Sequence, residues 1–230
     1  MITITASRQC RGAVSESLIL VEIHVLHLGQ VGTNCYIFRE DGTKTCGVVD
    51  PGDQGEQLAA WLMGRGLEPE AVLLTHGHFD HIQGIPGLRK RWPHLPVYCH
   101  PSDIGKGNAY QMFGQLCPTV LSYGNITPYR EDDVVNVARC AVKVMETPGH
   151  TPGSVTLRLK DVLFTGDTLF AGSMGRTDLP GGNEELIMGS LRRLYRLSGD
   201  FQVFPGHEGQ TTLKQERESN RFMHRALQMA

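Results

Sequence analysis

Residues 75–81 read Thr-His-Gly-His-Phe-Asp-His, and no other stretch constrains the fold of this chain as strongly. Three imidazoles and one carboxylate fall within this run, directly after the apolar segment Ala71-Val72-Leu73-Leu74. Imidazole is the commonest side-chain metal ligand and suits zinc or iron, while a carboxylate offsets part of a dication's charge. In an extended segment residues i and i+2 point the same way, so His76 and His78 can converge on one ion. Asp80 and His81 come where the chain should turn into a helix, and can face a second ion beside the first. A histidine-rich surface loop would need neither this spacing nor a buried strand ahead of it. The stretch reads as a metal site at a strand end.

The remaining composition excludes more than it suggests. With 40% hydrophobic and 20% charged residues, the 230-residue chain has the make-up of an ordinary globular protein. A net charge of −2 gives no reason to expect nucleic acid or an anionic membrane as partner. No run of about 18 apolar residues is available for a transmembrane span. Residues 1–17 carry Arg8 and Arg11 without the apolar core of a signal peptide behind them, and show no clear period. They are expected to form a loose extension ahead of one domain over 18–230, in a cytoplasmic protein. The six cysteines (10, 35, 46, 99, 117, 140) lack any CxxC spacing and are expected to be free thiols. Cys99 and His100 are adjacent, and neighbours in a strand point apart, which argues against a nucleophile pair.

Along the chain, Val21, Ile23 and Val25 alternate with Glu22 and His24 as a strand, and 34–38 and 46–49 read as two more, joined at the hairpin signal Asp41-Gly42. A helix is expected over 57–64, a strand over 71–75, a helix over 82–92 and a strand over 96–99. Glycines and prolines break up 101–133, a pattern typical of a functional loop. Val134 to Met145 is β-branched and strand-like, and 155–159 with 162–164 suggests a hairpin. Glu184 to Leu197 is the clearest amphipathic helix, followed by a strand at 201–204 and helix over 211–230.

His150 and His207 each close a Pro-Gly-His tripeptide behind an expected strand, and Asp167 ends another at Gly166-Asp167. The ligands then divide into His76, His78 and His150 for one ion and Asp80, His81 and His207 for the other. Asp167 can bridge the two, since a carboxylate has two oxygens.

The order HxHxDH, then His150, then Asp167, then His207 resembles the metallo-β-lactamase fold superfamily from about Val21 to His207. That resemblance implies an α/β fold, a four-layer αββα sandwich of two mixed sheets flanked by helices. Within the superfamily, the segment Gly172 to Pro180 (GSMGRTDLP) resembles the loop of short glyoxalase II-like hydrolases, and related loops occur in persulfide dioxygenases. True metallo-β-lactamases lack the bridging acid that Asp167 would supply, and nuclease members carry an inserted domain of a size not found here. Long glyoxalase II proteins add a C-terminal helical domain that grips glutathione, whereas 23 residues follow His207, so those contacts do not carry over.

The resemblance implies a binuclear metal-dependent hydrolase of a small-molecule thioester, of the S-2-hydroxyacylglutathione type, using a hydroxide that bridges two divalent ions. Zinc is the first choice, with iron or manganese compatible. A shared water would have its pKa lowered towards about 7, and the oxyanion formed would be stabilised at the same place. Asp80 and Asp167 are the catalytic candidates, Asp80 orienting the nucleophile. A thiolate leaves readily because a thiol pKa is about 8.5. The first alternative is a mononuclear iron persulfide dioxygenase using His76, His150 and Asp167. Another is a lactone or ester hydrolase, and a non-catalytic metal-binding protein is disfavoured by the complete ligand set. Arg176 is the candidate for holding a substrate carboxylate, against the alternative of an ion pair with Asp178. Tyr110, Met112 and Phe113 are candidates for the pocket wall. His24, His27, His94, His100 and His224 read as structural or exposed, His100 being the one placed to support a ligand. Neither nucleic acid nor membrane is expected as partner, and the protein should be a monomer or homodimer.

Overall fold

Alternation along the strands sorts the core into three apolar layers. The computed structural model describes residues 3–8, 20–105, 111–112 and 115–229. Its first large sheet contains β1 (Thr3–Arg8), β2 (Val21–Leu28), β3 (Thr33–Glu40), β4 (Thr45–Val49), β5 (Glu68–Leu73) and β6 (Val97–Cys99). A small hairpin follows, β7 (Gln111–Met112) with β8 (Gln115–Leu116), before β9 (Thr127–Pro128) completes the first sheet beside β6. The second sheet runs through β10 (Val134–Val137), β11 (Cys140–Glu146), β12 (Val155–Leu159) and β13 (Val162–Gly166). Past a second hairpin, β14 (Leu169–Phe170) with β15 (Ser173–Met174), it ends in β16 (Gln202–Pro205) and β17 (Thr211–Thr212).

Ile23 and Val25 of β2, Tyr36 and Phe38 of β3 and Leu73 of β5 face the second sheet. There they meet Val142, Val144, Leu157, Phe164 and Phe204, and Tyr36 lies 5.2 Å from Phe164 and 5.4 Å from Phe204 between ring centroids. The residues between them in sequence, Leu26, Leu28, Ile37, Val48 and Val72, face outwards. They are covered by α1 (Gly55–Met63), α2 (Phe79–Ile82) and α3 (Ile85–Arg91). On the far side, Leu163 and Val203 pack under α5 (Glu184–Tyr195), α6 (Leu213–Ser219) and α7 (Arg221–Gln228). The order helix, sheet, sheet, helix is the four-layer architecture expected from the sequence. Both sheets are mixed: β4–β5, β5–β6, β6–β9 and β13–β16 are parallel, and the remaining pairs within the two sheets are antiparallel.

Several expected elements differ in detail. The helix expected over 82–92 is two pieces, because Gly84 precedes α3 and Pro86 occupies its first turn, where a missing N–H costs nothing. Val134 to Met145 is two strands turned at Ala138 and Arg139, both with positive φ, 51° and 60°. The C-terminal helix is interrupted at Asn220, whose side chain accepts from Phe222 N and Met223 N and so caps α7. Within the segment read as a loose extension, Thr3–Arg8 pairs antiparallel with β2 as an edge strand. Tyr110 and Phe113, read as pocket-wall candidates, lie outside the described residues. The single turn α4 (Pro101–Ile104) is the element of the irregular segment nearest the histidine cluster in sequence.

Helices α1 and α3 approach at glycines, and a Cβ added to Gly87 would lie 2.5 Å from Glu56 N. Gly87→Ala should therefore destabilise the fold by about 1–3 kcal/mol despite alanine's higher helix propensity. Chemical denaturation checks this; a variant as stable as the parent would show that the two helices can separate at no cost.

Candidate metal centre

The site lies where strands of both sheets end. β5 runs into Thr75-His76-Gly77-His78, and His78 is the residue before α2, which carries Asp80 and His81. His150 follows β11 through Pro148-Gly149, Asp167 directly follows β13, and His207 follows β16. Two short segments thus supply four of the groups from the first sheet, and three loops supply the rest from the second.

All seven residues read as ligands from the sequence come together, in three overlapping groups. His76, His78 and His150 form one, His76, His81 and Asp167 a second, and Asp80, His81 and His207 a third, with polar atoms within 4.8 Å of one another in each. Asp167 occupies the middle. Its Oδ1 lies 3.4 Å from His81 Nε2, and its Oδ2 lies 3.5 Å from His150 Nε2 and 3.4 Å from His207 Nε2. Asp80 Oδ2 is 3.3 Å from His207 Nε2 and 3.8 Å from His81 Nε2.

Ring orientation is set from behind. Asp50, at the end of β4, accepts from Thr75 N at 2.8 Å and Thr75 Oγ1 at 2.6 Å, and its Oδ2 lies 3.0 Å from His81 Nδ1. That contact aims His81 Nε2 inwards, the usual way an outer carboxylate orients a ligating imidazole. His150 Nδ1 is held by the backbone carbonyl of Arg176 at 2.8 Å, which leaves Nε2 facing the cluster. Asp50 was legible in the sequence only as part of a turn, Asp50-Pro51-Gly52. Its place at a strand end, like that of Asp167, was the available signal.

The Arg176 guanidinium is engaged twice by Asp178, Nε to Oδ1 and Nη2 to Oδ2, both at 2.7 Å. This is the alternative ion pair named above, and the guanidinium holds the Asp178 carboxyl down at about 2. His100 stands apart from the cluster, 2.9 Å from Glu146 Oε1. Cys35, Cys46, Cys99 and Cys140 are buried free thiols.

The charge pattern suits a cation. Burial and neighbouring imidazoles keep the His76 ring well below its usual pKa, and burial with His150 brings His78 down to about 3. Both are therefore neutral, the form in which imidazole ligates. Burial opposes charge on His81 too, but Asp167, Asp80 and Asp50 outweigh it and push that ring up to about 9. His207, although desolvated, is raised to about 10 by Asp167 and Asp80. The carboxylates thus demand positive charge in their midst. His76 Nε2 and Asp167 Oδ1 are buried with no hydrogen bond, a cost that a bound cation would remove. Close approach of backbone completes the enclosure, since a Cβ on Gly206 would fall 2.2 Å from Asp167 Oδ1. These residues fit a metal site.

Comparison with known proteins agrees. The model of the metallo-beta-lactamase superfamily matches residues 28–207, and the chain belongs to that superfamily of metallo-hydrolases. It is 30% identical over 217 residues to the hydroxyacylglutathione hydrolase GloC of Haemophilus influenzae, covering 88% of this chain and 98% of GloC. Among solved structures it resembles BLEG-1, a B3 metallo-beta-lactamase, with TM-score 0.78 and 33% identity over 87% of this chain and 99% of that one. It also resembles TTHA1623 in a di-iron-bound form, with TM-score 0.74 and 35% identity over 86% of this chain and 98% of the other.

If Asp50 orients His81, Asp50→Asn should weaken binding of the ion nearest His81 by about 10- to 100-fold. Competition with a chromophoric chelator measures this, and unchanged affinity would reduce Asp50 to a turn-former.

Proposed function

We propose that the protein is a binuclear metal-dependent thioester hydrolase of the S-2-hydroxyacylglutathione type. Its carrying observation is Asp167, whose carboxylate faces His150 on one side and His81 and His207 on the other at 3.4–3.5 Å. His76, His78 and His150 would hold one ion, Asp80, His81 and His207 the other, and Asp167 both. Two divalent ions there, zinc first and iron or manganese compatible, would supply an activated water and polarise the substrate carbonyl.

The chain's own residues account for the remaining requirements. Asp80 and His207, with side chains 16% and 22% exposed, form the open side of the cluster, where substrate must enter. A cavity of about 260 Å³ lined by Gly29, Val31, Phe79, Asp80 and Gln83 opens there. Asp80 is among its lining residues, where it would orient the attacking water. The leaving group needs no acid if it is a thiolate, whose conjugate pKa is about 8.5, whereas an amine does. Likeness to GloC supports the thioester reading, because the match spans nearly the whole of a relative described as a hydroxyacylglutathione hydrolase. Likeness to BLEG-1 makes a β-lactam the necessary control substrate.

We further assign Arg176 to an acidic group of the substrate. Its pair with Asp178 is exposed on both sides, 57% and 68%, so a substrate carboxylate can reach the guanidinium and compete with Asp178 for it.

Protein loaded separately with zinc, iron or manganese should release thiol from S-lactoylglutathione and leave a β-lactam intact. Oxygen uptake with glutathione persulfide and no thiol release from thioesters would replace this reading with the iron dioxygenase. Arg176→Ala should raise KM for acidic thioesters by about tenfold or more, with kcat little changed. Equal losses on uncharged thioesters would instead assign Arg176 to its own loop.

A further inference from the structure

We propose that Asp103 is the positioning residue of the three-histidine group, fixing the two loops that carry His76, His78 and His150; this rests on the two-metal reading above. Asp103 is the one buried residue of α4 and is wholly inaccessible. Its Oδ2 accepts from Gly77 N at 2.9 Å and from Thr151 Oγ1 at 2.6 Å. Its Oδ1 accepts from Gly153 N at 2.8 Å. Gly77 is the residue between His76 and His78, and Thr151 directly follows His150. One carboxylate therefore touches the backbone between two members of the group and the side chain next to the third. Those loops belong to different sheets.

The chemistry selects a carboxylate at this point. Two N–H donors and one hydroxyl converge on two oxygens, which an acceptor-only group satisfies. Asparagine is nearly isosteric but carries an NH₂ on one side. Whichever way that amide turns, the NH₂ faces a backbone N–H of Gly77 or Gly153, donor against donor. The loop it faces must then shift. Thr151 is further tied to Ser154, its Oγ1 lying 2.8 Å from Ser154 Oγ, so displacement passes directly to His150.

Asp103 differs from Asp50 in what it holds. Asp50 meets His81 directly and also holds Thr75, next to His76, so it touches both sets, whereas the Asp103 contacts at Gly77 and Thr151 adjoin members of the three-histidine group only. Loss of the Asp103 contacts should thus weaken the ion of the three-histidine group alone, a result that a general loss of stability does not produce.

The test strips metal from the whole protein and titrates zinc back against a chromophoric chelator, for the parent, Asp103→Asn, Thr151→Val and Thr151→Ser. The parent should take up two ions. Asp103→Asn should bind one of them about 10- to 100-fold more weakly and leave the other nearly unchanged. Thr151→Val should show a smaller loss at the same ion, and Thr151→Ser, which keeps the hydroxyl, should restore the parent affinity. In the cobalt-loaded protein, the visible bands of one ion alone should change. If Asp103→Asn does not fold, the Thr151 pair decides. Equal weakening of both ions, or a lowered Tm with both affinities intact, overturns the assignment and leaves Asp103 as a structural tie. A parent that takes up fewer than two ions overturns both the assignment and the two-metal reading.

Discussion

Imidazoles crowded into a buried pocket repel one another when charged and waste their lone pairs when not. Five of them share this site with two carboxylates, and the surrounding fold makes that crowding tolerable. Asp50 fixes His81, the Arg176 carbonyl fixes His150, and Asp167 occupies the space between the groups. Opposite shifts follow from position alone. His78, buried and beside His150, is pushed to about 3, while His207, between two carboxylates, is raised to about 10. A donor set this polarised serves a cation better than it serves stability, since unpaired buried polar atoms are costly in any protein.

The two sheets contribute in the same manner. Each sends residues forward from the ends of strands, and parallel pairing at β4–β5 and β13–β16 places successive strand ends on one edge. Backbone contacts bind these edges together: Val155 N donates to Thr75 O at 2.8 Å, and Asn34 N to Gly206 O at 2.8 Å. Aromatic packing between Tyr36, Phe164 and Phe204 lies directly beneath. The apolar inter-sheet core thus sets the distance across which the polar groups must meet.

Much of this was legible beforehand, for identifiable reasons. The cluster at 76–81 announces itself by spacing, and the two Pro-Gly-His tripeptides by repetition behind strands. Residues that act from behind were not legible. Asp50 and Asp103 look like ordinary turn and helix-start acids, because their partners are distant in sequence, 25 to 50 residues away. The contribution of the Arg176 carbonyl is invisible in principle, as any residue there has a carbonyl. Breaks in the helices at Gly84 and Asn220 have local signals, a glycine two residues ahead of Pro86 and a capping asparagine, that apolar periodicity overrode. The division of 134–145 had none of the usual marks, since the turn is made by Ala138 and Arg139 with positive φ and no glycine.

Neither sheet carries a complete set of the proposed ligands. The first offers His76, His78, Asp80 and His81, while His150, Asp167 and His207 arrive from the second. On a ribosome the first group emerges well over a hundred residues ahead of His207. During that interval the nascent chain displays four good donors that cannot yet close around an ion in the native way. Each of the three groups needs a residue from the second sheet, so closure of the donor set waits until the two halves have found one another.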